Sequence, residues 1–467
     1  MVFKNDEIKT TANFGDRVST VDGKGKRKWI YALKPVGKLY NIRTIVSVIY
    51  LVLFFGFPFV KLNGTPLFLF NVVDAQFIFF GKIFLPQDFI LLGIGMLTML
   101  LFIIVFTLVF GRVFCGWACP QTIFLEMVFR RIEYWIEGNA NKQKLADENP
   151  TTKYYTRKAF KHIVFFLLSF VIANTFLSYI IGVEELFRIM NEPVTGHLGG
   201  FLAILGFTGV FYAVFAFVRD LVCTVICPYG RLQSVLLDKN SIIVAYDYLR
   251  GEPRAKIKKA DTEEKGDCID CGLCVQVCPT GIDIRNGTQM ECVNCTACID
   301  ACNMMMDKVH RAPDLIRFAS ENNIAKGEKA KFTYRIKAYT AVLVILVGIL
   351  TTMLITRSMF DSTVLRVPGQ ILQENPDGTI SNLYRIKIVN KNSQIQPYHL
   401  SITEQDAKLA FIGKPLDSLK PVMETEETFF IKVPKEKITR RRNNFTIKVM
   451  SGNNIIQTQK VSFIGEY

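Results

Sequence analysis

The sequence predicts a multi-domain membrane protein: an α-helical transmembrane bundle of five spans, an inserted α+β domain, and a C-terminal all-β sandwich. Three observations carry that prediction. Half of the 467 residues are hydrophobic, Phe alone numbering 38, and the excess is gathered in long apolar stretches. All twelve cysteines fall between Cys115 and Cys302, in four tight groups. From Arg357 onward the chain alternates apolar and polar residues in short runs separated by turn-formers.

A hydrocarbon core takes about 20 helical residues to cross. Five stretches meet that need: Thr44–Val60, Phe89–Phe110, Ile163–Ile181, Leu198–Val218 and Ala338–Ile355. A sixth apolar run, Pro66–Phe80, is short and interrupted by Asn71 and Asp74, and reads as a loop or interfacial segment. The first forty residues are polar and basic, without the apolar core of a signal peptide. Expected boundaries are therefore 1–43 for a basic cytoplasmic arm, 44–237 for four spans, 238–337 for the inserted domain, 338–356 for the fifth span and 357–467 for the sandwich.

Lys and Arg set the orientation. The arm is basic, as are the connection after the second span (Arg112, Arg130, Arg131, Lys142, Lys144, Lys153, Arg157, Lys158, Lys161) and the stretch between spans four and five. Lys61–Pro86 carries only Lys61 and Lys82, and Gly182–His197 sets Arg188 against Glu184, Glu185 and Glu192. The N-terminus and inserted domain are thus expected in the cytoplasm, the C-terminal domain outside. The net charge of +15 is topological, and nucleic acid is not among the expected partners.

In the C-terminal region the runs LYRIKIVN, YHLSIT, TFFIKV, NFTIKVM and QKVSFI read as strands. Asn375-Pro376-Asp377-Gly378 and Ser451-Gly452-Asn453 read as turns. About seven short strands suit an antiparallel, immunoglobulin-like sandwich. It has no cysteine and no evident chemistry, and docking partners is its expected role.

The strongest chemical signal is Cys268, Cys271, Cys274, Cys278-Pro279, the C-x2-C-x2-C-x3-C-P spacing of bacterial ferredoxins. A second copy follows at Cys292, Cys295, Cys298 and Cys302, ending in Asn303 rather than Pro. The inserted domain is therefore expected to be ferredoxin-like with two [4Fe-4S] clusters, the fourth cysteine of each run serving the other cluster. One is assigned Cys268, Cys271, Cys274 and Cys302, and the other Cys292, Cys295, Cys298 and Cys278. Zinc sites use two pairs rather than runs of four, and disulfide scaffolds belong to small secreted domains.

The second signal lies at the membrane boundary. Cys115-Gly-Trp-Ala-Cys119-Pro120 closes the second span, and Cys223-Thr-Val-Ile-Cys227-Pro228 follows the fourth. Cysteines at i and i+4 share a helix face, and the following proline places each pair at a helix end. Both spans run inward, so all four thiols emerge at one boundary and can converge. Soft thiolates there favour Cu(I), with zinc or another iron–sulfur centre as alternatives. The plainer reading is inert buried cysteine. The halves Thr44–Pro120 and Ile163–Pro228 match coarsely, as in a duplicated hairpin.

Other candidates weigh less. Met304, Met305 and Met306 offer thioethers but cannot share one helix face, so packing is expected of them. His162 and His197 lie near opposite span ends, and a lone interfacial histidine is seldom a ligand or proton carrier. Gln87 and Asp88 open the second span, where a carboxylate reads as a solvated cap rather than a proton relay. No dinucleotide fingerprint, phosphate loop or nucleophile triad is present.

With these residues in hand, the chain resembles the FixG/CcoG/RdxA family of cytochrome c oxidase accessory proteins. The resemblance rests on LPQDFILL (85–92), GRVFCGWACPQT (111–122), CPYGRLQSV (227–235), RGEPR (250–254), GDCIDCGLCVQVCPTGIDIR (266–285) and the β domain after the last span. It implies a multi-pass protein of the bacterial inner membrane, active in assembling cbb3-type cytochrome c oxidase by reducing Cu(II) to Cu(I). It makes the eight ferredoxin cysteines cluster ligands and Cys115, Cys119, Cys223 and Cys227 the membrane redox or copper positions. The implied partners are oxidase subunits or copper chaperones, a cytoplasmic electron donor, and a second copy of the chain. Two other readings stay open: a NapH-like, quinol-oxidising subunit, and an assembly scaffold with structural or sensory clusters.

Overall fold

The computed structural model describes residues 29–62, 64–72, 75–193, 198–256, 265–327, 333–358, 360–369, 372–391, 395–420, 424–438, 440–452 and 454–465. The chain divides into two compact units. The first holds residues up to Phe57, Gly93–Ser178 and Val183–Ile349; the second holds Pro58–Leu92, Tyr179–Gly182 and Leu350–Tyr467.

Among the described residues, five helices are long and apolar enough to cross a membrane: Lys38–Phe59, Phe89–Phe110, Thr152–Ile181, Leu198–Val218 and Tyr334–Ile355. Each contains the apolar stretch expected of it, apart from Val60. The third begins well before Ile163, because its polar first turns are held by tertiary ion pairs that hydropathy cannot register. The apolar window of the fifth has no buried residue, as suits a helix facing lipid.

In the first unit an aromatic core ties spans one, three and four to the segment after Pro120. Phe129 stacks on Phe215 with centroids 4.6 Å apart and meets Phe165 edge-on at 4.9 Å. Phe124 meets Phe54 edge-on at 5.2 Å. The cysteine-rich region is bounded by the antiparallel strands Ile243–Tyr246 and Ile316–Ala319, with the helices Leu273–Gln276 and Ala297–Lys308 between them. It is fastened to the first span through Asp300, whose carboxylate accepts from the Leu39 and Tyr40 amides at 3.1 and 2.7 Å. An acid there meets the orphan amides and positive end of that helix.

Where it is described, the basic arm makes tertiary contacts. Leu33 N–H donates to Gln276 O at 2.8 Å, Tyr134 Oη to Ala32 O at 2.9 Å, and Trp29 lies 4.9 Å from the Arg219 guanidinium.

In the second unit, Pro66–Phe80, expected as a loop or interfacial segment, is not a loop. Phe68–Asn71, Gln76–Phe79 and Lys82–Phe84 form a three-stranded antiparallel meander. Phe80 and Gly81, with φ of 51° and 72°, make the two-residue turn whose twist suits a hairpin. Phe79 packs edge-on between Phe70 (5.2 Å) and Phe84 (5.6 Å), so cross-strand ring pairs hold a run too short for a span. Asp74 lies outside the described residues.

The C-terminal region is the expected sandwich. One sheet runs Lys408–Phe411, Glu424–Pro434, Thr379–Asn390, Phe360–Arg366; the other runs His399–Ile402, Arg442–Ser451, Asn454–Ile464. Their alternating inner residues, among them Tyr384, Ile386, Phe429, Ile431, Ile447 and Phe463, form one core. Tyr384 Oη donates to Ser462 O at 2.9 Å, joining the sheets through the one polar atom the ring carries inward.

Candidate iron–sulfur and thiol sites

Each cysteine run turns on left-handed residues set between its thiols. Asp270 (φ 50°) and Gly272 (φ 66°) serve the first run, Asn294 (φ 52°) and Thr296 (φ 67°) the second. Only glycine takes this conformation freely, and Thr296 is held there with its hydroxyl donating to Cys295 O at 2.6 Å. The repeated reversal lets three successive thiols, each three residues on from the last, close around one point.

Two small cavities result. Cys268, Cys271, Cys274 and Cys302 line one, with Tyr246, Arg285 and Met305. Cys278, Cys292, Cys295 and Cys298 line the other, with Cys274 and Asn294. The fourth thiol of each run thus faces the cavity of the other run. Burial pushes the Cys274, Cys292 and Cys302 thiols up to about 12 and Cys278 to about 11. Among the described residues no three His, Cys, Asp or Glu side chains are gathered as for a single metal ion. Thiols set around a cavity, with the buried Asn294 Nδ2 lacking an acceptor in the wall of the second, fit an anionic sulfur-rich cluster.

The two C-x3-C-P segments share a local design. Span two ends at Gly111 (φ 56°) and span four at Arg219 (φ 53°), after which Cys115 and Cys223 lie in short helical turns. Cys119 and Cys227 are extended (ψ 127° and 112°) and cap the helical segments opening at Pro120 and Pro228. Each pair therefore does not share one helix face, because proline excludes the α conformation from the residue before it. Among the described residues the four thiols are not gathered as for a single metal ion, but they lie near one another. Cys115 lies within electrostatic range of Cys119 and Cys227, and Cys223 within range of Cys115 and Cys119. Cys115 Sγ donates to Gln233 Oε1 at 2.9 Å. Burial raises Cys115 to about 11, with Arg112 opposing it, and raises Cys223 to about 12.

A buried ion network braces these segments. Arg130 pairs with Glu126 and with Asp220, both at 3.2 Å, so it joins the turn after Cys119 to the turn before Cys223. Arg219 pairs with Glu133 at 2.9 Å, and Lys161 with Glu133 (3.4 Å) and Glu137 (2.9 Å). Burial alone would raise the Glu133 carboxyl; Arg219 and Lys161 outweigh it and hold the group at about 2. In the sequence these charges are marked only by their position in the segments around each C-x3-C-P, because the partners lie far apart along the chain.

Of the lesser candidates, His162 Nδ1 lies 3.0 Å from Tyr212 Oη and its ring stacks on Phe217, a packing role. His197 lies outside the described residues, as does the Gln87 side chain. Met306 is buried in the core and Met305 lines a cavity wall, so these two pack as expected, whereas Met304 is exposed. Asp88 is not a solvated cap. It accepts from Leu85 N–H at 3.3 Å, but it is buried against Arg357 Nη2 (2.6 Å) and Lys391 Nζ (2.6 Å). Partners so distant in sequence give no local sign.

Comparison with known proteins agrees with this architecture. The family described as a 4Fe-4S dicluster domain matches residues 218–321, a 4Fe-4S binding domain matches 92–143, and the IG-like fold at the C-terminal of FixG matches 350–466. Protein RdxB of Cereibacter sphaeroides is 31% identical, over 84% of this chain and 85% of its own length. Protein RdxA of the same organism is 33% identical over 72% of each chain. The nitrogen fixation protein FixG of Rhizobium meliloti is 31% identical over 64% of this chain and 59% of its own. Apolar spans, ferredoxin-type cysteine runs and a terminal sandwich define a membrane iron–sulfur protein of electron transfer. Within that class, the chain belongs to the FixG/RdxA/RdxB family.

Proposed function

We propose that this protein passes single electrons to Cu(II) at Cys115, Cys119, Cys223 and Cys227, releasing Cu(I) for maturation of a cbb3-type cytochrome c oxidase. The observation that carries the reading is the close approach of the Cys115–Cys119 segment to the second ferredoxin run, with Cys115 in turn within electrostatic range of Cys227 and Cys223. A methyl group at Gly116 would stand 2.5 Å from Val293 O. Cys268, Cys271, Cys274 and Cys302 would hold one [4Fe-4S] cluster, and Cys278, Cys292, Cys295 and Cys298 the other. When bound, the clusters supply one-electron reducing equivalents. Each Cu(II) takes one electron, drawn in the end from a low-potential cytoplasmic donor. The soft thiolates favour Cu(I) over Cu(II), and ligation displaces their protons.

The Lys and Arg distribution supports an inner-membrane protein with its cysteine runs in the cytoplasm and its sandwich in the periplasm. There the sandwich would dock oxidase subunits or a copper chaperone, and a homodimer would present two such surfaces.

The test mixes dithionite-reduced, desalted protein anaerobically with Cu(II), following cluster absorbance and a Cu(I)-specific chelator. Cu(I) appears as the clusters reoxidise, in greater yield than from cluster-free protein. Cys115→Ala with Cys223→Ala slows transfer while iron content holds. Cluster oxidation no faster with Cu(II) than without, but fast with a quinone, replaces copper by quinone.

A further inference from the structure

The two cysteine cavities resemble each other in sequence but not in their surrounding charge. At the cavity of Cys278, Cys292, Cys295 and Cys298, two buried guanidinium groups stand close by, Arg43 and Arg112, each 3% exposed. Arg43 Nε donates to Gly116 O at 2.8 Å, and its charge reaches Cys295. Arg112 donates to Met290 O, two residues before Cys292, and its charge reaches both Cys292 and Cys115. On its other side Arg112 Nη2 would lie 3.1 Å from a methyl group at Gly230, which itself would meet Cys223 O at 2.6 Å. Arg112 thus stands between the second run and both C-x3-C-P segments. Neither arginine forms an ion pair among the described residues.

Four buried donors around this junction lack an acceptor: Arg43 Nη2, Arg112 Nε, Trp117 Nε1 and Asn294 Nδ2. Buried donors are rarely left so. Glu126 and Arg130 also reach Cys295, but they pair with each other at 3.2 Å.

At the other cavity the cations are neutralised. Arg285, whose charge reaches Cys274, is paired with Asp283 at 2.7 Å and Asp270 at 2.5 Å. Arg250, whose charge reaches Cys302, is paired with Asp267 at 2.5 Å. This cavity includes the exposed Cys271.

We infer that Arg43 and Arg112 are positioning residues that set the order of electron flow. Unpaired positive charge and sulfur-directed donors raise the reduction potential of a cluster. The Cys278/Cys292/Cys295/Cys298 site is therefore the higher in potential and the one that delivers to a one-electron acceptor, Cu(II) or a quinone, at the membrane thiols. The Cys268/Cys271/Cys274/Cys302 site is the lower, and receives the electron at the exposed Cys271. Each transfer moves one electron and leaves the giving site oxidised by one. The inference rests on both cavities holding clusters, and not on copper as acceptor.

The test is an EPR-monitored redox titration of the full chain, purified anaerobically and free of copper. Wild type gives two one-electron steps, and Cys271→Ser perturbs the lower. Arg112→Gln and Arg43→Gln each shift the upper step downward by about tenfold in its equilibrium constant, 59 mV for a one-electron couple. The lower step holds, and Arg112→Lys restores most of the upper one. The inference is overturned if Cys271→Ser perturbs the upper step, or if the arginine variants retain their iron and move the lower step or neither. The Cys271→Ser arm needs no arginine variant to fold. A wild type without iron overturns the cluster reading itself, and copper is absent throughout, so copper reduction is judged separately.

Discussion

The two units of the molecule treat buried polar groups differently. In the sandwich unit they are matched: Tyr384 Oη finds Ser462 O, Tyr398 Oη finds Glu427, and Asp88 lies between Arg357 and Lys391. Among the described residues, Asn382 Oδ1 is the one buried side-chain atom of that unit left without a hydrogen bond. Among the described residues the spanning and cysteine-rich unit has ten, two of them the ion-paired Glu126 Oε1 and Glu137 Oε1, and Arg43, Arg112, Trp117 and Asn294 crowd the junction of the second run with the first C-x3-C-P segment. Stability alone disfavours such orphans, at about 1–3 kcal/mol each. Their concentration beside sulfur ligands teaches that this unit is built around a group it must hold, whereas the sandwich is complete as a polypeptide.

Topology gives the largest, all-or-none test of this contrast. Lys414→Cys in the sandwich unit should react with an impermeant thiol reagent in intact cells with a permeabilised outer envelope, while Lys239→Cys should not. The opposite pattern would invert the orientation drawn from charge.

Iron content comes next. The full chain should carry about eight iron and eight labile sulfide. Cys278→Ser should lose about half, from the Cys292 side, although Cys278 belongs to the first run in sequence. Loss confined to the Cys268 side would break the exchanged ligand pattern. The sandwich unit should keep its protease resistance.

Asp88→Asn probes the matched unit. Leaving Arg357 and Lys391 buried with a partner removed should cost about 3 kcal/mol, seen as a lowered unfolding transition with iron unchanged. Burial raises the Asp88 carboxyl, but the hydrogen bonds of Arg357 and Lys391 outweigh it and hold the group below the usual carboxylate value of 3.8. Its contribution is therefore complete above that value and lost as pH falls through the lower, folded one. Asp88→Asn should show less acid sensitivity between those limits than wild type.

The smallest effect expected is that of Gly116→Ala. Its methyl would meet Val293 O at 2.5 Å, an overpacking cost of about 1–3 kcal/mol at the junction. Faster thermal release of iron would sharpen the contrast, and an unchanged rate would show that the two segments part easily.

The spans, both cysteine runs and the strand runs were legible because each rests on local periodicity or spacing: apolar length, C-x2-C-x2-C-x3-C, and alternation. The Phe68–Phe84 meander was less so, since its ring pairs appear only once the strands are in register. Tertiary structure decided the rest. Arg43, Arg112, Arg130, Asp220 and Glu133 look like ordinary topological charge until folding buries them around the C-x3-C-P segments. Asp88 looks like a surface cap until Arg357 and Lys391 arrive from the far end of the chain. Spacing along the chain determined which residue types can bind iron and sulfur. Only the fold decided which charges lie beside them, because the strength of a charge depends on its burial and on partners that sequence distance does not reveal.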